Sequence, residues 1–120
     1  MKIKAILISM LILLFSTTAF AYDKAVTFIR NSSFSKCGYK TVGQAIDEAF
    51  QNPQWESGKA SDGELIVNVT GVVTYDGNRY KCMMQFAPKP NNKFETNGMS
   101  MNGKMMSPEF KSKFITELCK

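Results

Sequence analysis

The sequence predicts an α+β fold: an antiparallel sheet of four to five strands with two helices packed on one face, in the order β-α-β-β-β-β-α. Three observations predict it. Thr41 to Phe50 carries apolar residues at helical spacing. The middle of the chain alternates apolar and polar residues, in runs parted by Asp76-Gly77 and Asn102-Gly103. Ser107-Pro108 then opens a second amphipathic stretch that reaches the C-terminus.

Each element has its own signal. Ala25 to Ile29, β-branched and aromatic, reads as a first strand. Thr41 and Gln44 fit a capping box, in which each side chain satisfies the other's free backbone donor. Val42, Ala45, Ile46, Ala49 and Phe50 then share one helical face, and Asn52-Pro53 stops the helix. Gln54 to Ser57 is a short strand carrying Trp55. Glu64 to Tyr75 is a long one, with Leu65, Val67, Val69, Val73 and Tyr75 on one side and Ile66, Asn68, Thr70 and Val72 on the other. Gly71 marks a bulge or bend in it. Asp76-Gly77 is a hairpin turn, and Arg79 to Ala87 returns with Tyr80, Cys82, Met84 and Phe86 on one face. A turn at Pro88 to Asn92 leads into a last strand, Lys93 to Met101. Ser107 caps the final helix with Pro108 in its first turn, and Phe110, Phe114, Ile115 and Leu118 form its apolar stripe.

The N-terminus reads as a cleaved export leader over residues 1–21. Lys2 and Lys4 precede the apolar run Ala5 to Phe15, and Ala19-Phe20-Ala21 supplies small residues for cleavage before Tyr22. Residues 22–120 then form a single α+β domain. Its expected location is the periplasm or the medium, with no stable membrane insertion once the leader is removed. Losing Lys2 and Lys4 leaves thirteen basic residues against ten acidic, a charge of about +3. The lysines are dispersed, so nucleic acid is not an expected partner.

The chain resembles a group of short exported or lipid-anchored bacterial proteins carrying a domain of unknown function. The residues that carry the resemblance are Cys37, Lys40-Thr41-Val42, Asn52-Pro53-Gln54-Trp55-Glu56-Ser57, Asp62-Gly63, Val67-Asn68-Val69, Gly71, Thr74-Tyr75, Gln85-Phe86, Asn102-Gly103 and Cys119. The segment TVGQAIDEAFQNPQWES is its most specific part. The resemblance implies a periplasmic or secreted α+β module with no established reaction. Such proteins typically hold aliphatic residues where this chain has Met83, Met84, Met99 and Met101, and lack a counterpart of Cys82.

Export makes a disulfide the expectation for two of the three cysteines. Cys37 and Cys119 sit at element ends, where a bridge disturbs no strand. Cys82 lies mid-strand among apolar residues and reads as a free, buried thiol. The expected bridge is therefore Cys37–Cys119.

The chain has no histidine, which removes the commonest general base and the Ser-His and Cys-His nucleophile systems. No phosphate-cradling glycine loop occurs. No catalytic residue, enzyme activity or cofactor is therefore expected. The sharpest chemical lead is GMSMNGKMMS, which places Met99, Met101, Met105 and Met106 together in sequence. Thioethers bind Cu(I), but three must converge. Met99 and Met101 share a strand face at a spacing of roughly 6–7 Å, so Met105 or Met106 must fold back to help them. Otherwise methionine fills core space where leucine also serves. The favoured reading is a small exported binding or interaction module, an inhibitor or accessory factor, whose partner is an envelope or extracellular protein. Its candidate surface comprises Trp55, Ile66, Val72, Arg79 and Lys81, with an exposed apolar patch near Ile66 and Val72. Trp55 also reads as a core aromatic packing near Phe50. The alternatives are a methionine-rich copper or small-ligand carrier and, third, an enzyme of unidentified type.

Overall fold

The computed structural model describes residues 19–120. The leader expected over residues 1–21 thus falls mostly outside the described residues. Among those described, no helix is long and apolar enough to cross a membrane.

The chain is α+β, with a five-stranded sheet in the order β1-β2-β3-β4-β5, every neighbour antiparallel. The elements are α1 (Ala19–Asn31), α2 (Val42–Ala49), β1 (Gln51–Lys59), β2 (Leu65–Tyr75), β3 (Asn78–Lys89), β4 (Lys93–Met101), β5 (Lys104–Met105) and α3 (Pro108–Leu118). Two differences from expectation stand out. Among the described residues three helices are present rather than two, because the segment Ala25–Ile29 expected as a first strand lies within α1. A short β5 also follows β4 after the Asn102-Gly103 turn.

The physical reason for the first difference is visible in burial. Ala25 and Ile29, four residues apart, are buried, while Val26 and Phe28 flank them and Thr27 is exposed. Five apolar-rich residues satisfy helical and strand spacing equally well, so periodicity does not choose between them. The partners choose. Arg30 on α1 makes a two-pronged ion pair with Asp47 on α2, and its guanidinium lies 5.2 Å from the Trp55 ring centre. The helix covers the sheet instead of extending it.

The capping box at α2 forms as the sequence predicts. The Gln44 backbone N–H donates to the Thr41 hydroxyl at 3.1 Å, and the Thr41 N–H donates to the Gln44 side chain at 2.9 Å. Phe50 ends the helix and leads at once into β1, which is longer than the stretch around Trp55 implied. The bulge expected at Gly71 falls on its partner instead. Between the pairs Gln51↔Val72 and Gln54↔Thr70, β1 carries the extra residue, with Asn52 at φ 54°. Gly71 faces this kink for a steric reason. A Cβ there stands 2.8 Å from Phe50 Cδ2 and 3.0 Å from the Gln51 carbonyl oxygen.

The core lies between the helices and one face of the sheet. Val67, Val69, Val73, Cys82, Met84, Phe86, Met99 and Met101 point into it from the strands, and Ile29, Val42, Ile46, Phe114 and Leu118 from the helices. Asp76 and Gly77 both hold positive φ, 52° and 81°, as a two-residue hairpin whose twist matches its strands requires. At α3, Ser107 accepts from the Phe110 N–H at 3.1 Å, with Pro108 in the first turn. The disulfide joins Cys37, in the loop before α2, to Cys119 at the end of α3, across 82 positions of sequence. Lys40 adds a polar clasp nearby. Its ammonium donates to Glu48 at 2.7 Å and to the Leu118 carbonyl at 3.5 Å, a cation at the negative end of α3.

Two predictions follow from this packing. In the oxidised protein, an alkylating reagent is expected to leave all cysteines unmodified in the native state and to label Cys82 alone in denaturant, read by peptide mass. Gly71→Ala is expected to lower stability by about 1–3 kcal/mol in a denaturant titration, through overpacking against Phe50.

Candidate functional site

The methionines of GMSMNGKMMS separate in space. Met99 and Met101 are buried on the helical face, opposite Met84 and Cys82 respectively. Met106 also turns toward the core: its N–H donates to the Met99 carbonyl at 2.9 Å and its side chain packs against the buried cluster. Met105 does not. It is 61% exposed and pairs with Ser100 on the other side of the sheet, with its Cε 3.2 Å from the Cβ position of Gly98. The four thioethers therefore do not face one point. Among the described residues, no group of three or more Cys, Asp and Glu side chains is placed to hold a metal ion.

Cys82 is fully buried and free. Burial away from water pushes its thiol pKa from the ordinary 9.0 up to about 12. A neutral thiol of this kind is a core filler and a poor nucleophile.

The residues of the expected interaction surface divide between the two sheet faces. Ile66, Val72, Arg79 and Lys81 occupy the face away from the helices, by strand alternation. Trp55 occupies the helical face, where its ring stacks at 6.3 Å from Phe86 and packs against the buried core. Its indole nitrogen is buried without a hydrogen-bond partner. The apolar patch expected near Ile66 and Val72 is absent. Ile66 is only 7% exposed and Val72 half-buried, while Arg79 is engaged with the Gln51 side chain at 2.8 Å. A charge cluster lies on the same face, in which Lys89 bridges Glu64 and Glu95. The bond to Glu64 is the main cause that raises the Lys89 pKa. Among the described residues, the large hydrophobic side chains that are exposed are Tyr39 and Met105.

The structure assembles a different site, which sequence reasoning missed. A groove of about 710 Å³, open to solvent, lies between the loop after α1, the start of β4 and one side of α3. Phe28, Phe34, Phe94 and Ile115 contribute its apolar surface. Phe34 meets Phe94 edge-on at 5.9 Å and also packs with Phe86, so the apolar wall is continuous with the core. Lys36, Lys93 and Lys111 line it as well, beside several serine and asparagine side chains, and the lining contains no acid.

The electrostatics of these lysines differ from those of the lysines held in ion pairs. Lys40, Lys89 and Lys120 pair with glutamates. Lys36 instead donates to the Ser112 carbonyl and hydroxyl and, at 3.1 Å, to the Thr116 hydroxyl. Lys111 donates to the Thr96 carbonyl at 2.7 Å. Among the described residues, none of the three groove lysines has a carboxylate partner. Neutral oxygens orient an ammonium without cancelling its charge, so the groove combines an apolar wall with uncompensated positive charge. A second cavity of about 610 Å³, between α2, α3 and the β2–β3 turn, lacks this imbalance: Glu48, Asp76 and Glu117 offset Lys40 and Lys120.

The groove was hidden in the sequence because its lysines come from three segments far apart along the chain. The available signal was weak: Lys111, on a helix, lacks an acid partner three or four residues away.

The buried thiol generates a pH prediction. With its folded pKa raised above the unfolded one, Cys82 contributes stability that is complete below about pH 9 and is lost as pH rises toward 12. Wild type is expected to lose more stability than Cys82→Ala between pH 8.5 and 10.5, values of about that range being set by the linkage, in parallel denaturant titrations. Equal losses contradict it.

Comparison with family models, with curated proteins and with solved structures gives no match, so none bears on the family resemblance of the sequence.

Proposed function

We propose that the protein is a small exported binding module that docks an anionic partner in the groove between the loop after α1, β4 and α3. One observation carries this reading: three lysines without carboxylate partners line an apolar groove whose lining holds no acid. Such a surface favours a ligand that is both apolar and negatively charged, because it buries apolar area while neutralising the lysines. The Cys37–Cys119 bridge supports an oxidising compartment, in keeping with the export leader read at the N-terminus. A binding role rather than catalysis agrees with the chemistry to hand. The groove offers cations and hydroxyls, and no paired base and nucleophile.

Dodecanoate, an apolar chain with one carboxylate, is the direct probe. Titrated into isotopically labelled protein, it is expected to shift the amide resonances of Lys36, Phe94 and Lys111. Replacing Lys36, Lys93 and Lys111 together by glutamine is expected to weaken binding by about tenfold or more, and added salt to weaken it in wild type. No binding, or equal binding by the substituted protein, sinks the reading.

A further inference from the structure

The wall of the groove contributed by β4 is a strand edge with no strand paired to it among the described residues. β5 pairs only with Ser100 and Met101, so the first half of β4 faces the groove directly. Which of its backbone groups point outward follows from the ladder. In an antiparallel pair, facing residues alternate between those that exchange hydrogen bonds and those that do not. Pro88 faces Phe94 across β3 and β4, and a proline has no N–H to exchange. Phe94 and, two residues on, Thr96 therefore direct their N–H and C=O groups away from β3. Independent geometry agrees, because the Thr96 carbonyl is the one taken by the Lys111 ammonium. The edge thus offers the Phe94 N–H and C=O and the Thr96 N–H to whatever occupies the groove.

We infer that the occupant is an extended acidic segment of a partner protein, which adds to the sheet as a strand along Lys93–Asn97. This rests on the binding reading above and specifies its partner. A strand laid there satisfies the free edge groups by main-chain hydrogen bonds, which is how sheet edges commonly recruit peptides. Its alternate side chains face the wall of Phe28, Phe34, Phe94 and Ile115. Its carboxylates meet the lysines. These lysines are spread along the edge: Lys93 begins β4, while Lys111 is anchored at Thr96, three residues further, roughly 10 Å along a strand. A single carboxylate is too small to meet both, whereas several carboxylates carried along an extended chain match the spacing. Lys111 leaves the Thr96 carbonyl when a carboxylate offers it a stronger, charge-assisted partner, which frees that carbonyl for the incoming strand.

The experiment uses the whole domain with its disulfide intact. A pool of short blocked peptides of randomised valine, threonine, phenylalanine and glutamate is passed over the immobilised protein, beside the same pool with glutamine in place of glutamate. Peptides are expected to be retained from the glutamate pool only. Bound peptide is expected to slow hydrogen exchange at the Phe94 and Thr96 amides by about tenfold or more. Thr96→Pro removes an edge donor while keeping the bonds to β3, and is expected to weaken peptide binding by about tenfold. Retention without protection of these two amides, or retention equally from the glutamine pool, overturns strand addition by an acidic segment. Dodecanoate binding with no peptide retained also overturns it and leaves the groove reading standing, whereas failure of both probes removes both. Should Thr96→Pro not fold, amide exchange in wild type decides the question alone.

Discussion

The Cys37–Cys119 bond holds together the two parts of the molecule that the sheet alone does not. Cys37 lies in the loop between α1 and α2, and Cys119 ends α3. A domain of this size buries only a modest core. By the chain-entropy account, closing a loop of 82 positions stabilises by about 4–5 kcal/mol, comparable to the net stability of many small domains. The bond also brings Lys36 against Ser112 and Thr116 on α3. The groove is therefore a consequence of the cross-link as much as of the sheet. Without it, neither the loop nor α3 is held covalently at the distance that makes a cleft.

Beneath that cross-link, alternation along β2, β3 and β4 produces the core. Val69, Met84 and Met99 lie side by side across three strands, and Gly71, Cys82 and Met101 form the next row. The second row begins with a glycine because Phe50 occupies the space above it. Methionine suits these rows, since an unbranched side chain fits the irregular space between three helices and a bulged strand. The same rows also separate the methionines around the last hairpin. Two strand methionines point into the core, Met106 follows them, and the hairpin at Asn102-Gly103 sends Met105 to the opposite face.

Polar residues show a similar division of labour. Trp55 is partly covered by Arg30, and that arginine also pairs with Asp47, so one side chain fastens α1 to both α2 and β1. On the other side of the sheet, Lys89 bridges Glu64 and Glu95. Ile66 is buried on the open sheet face, where Met105 remains exposed. Each such arrangement joins residues far apart in sequence, and so belongs to tertiary structure.

Local chemistry by itself determined much of this protein. The capping box at Thr41, the turns at Asp76-Gly77 and Asn102-Gly103, the strands from Glu64 onward, the Ser107-Pro108 helix start and the disulfide partners all depend on residues or positions that can be recognised within a few neighbours. Tertiary structure decided the rest. Ala25 to Ile29 became helix because Asp47, Trp55 and the sheet face offered partners for a helix. The bulge moved from Gly71 to Asn52 because a Phe50 ring needed the glycine's space. Lys36, Lys93 and Lys111 became one site because a folded chain brings separate segments together and local periodicity carries no record of which charges will lack a partner.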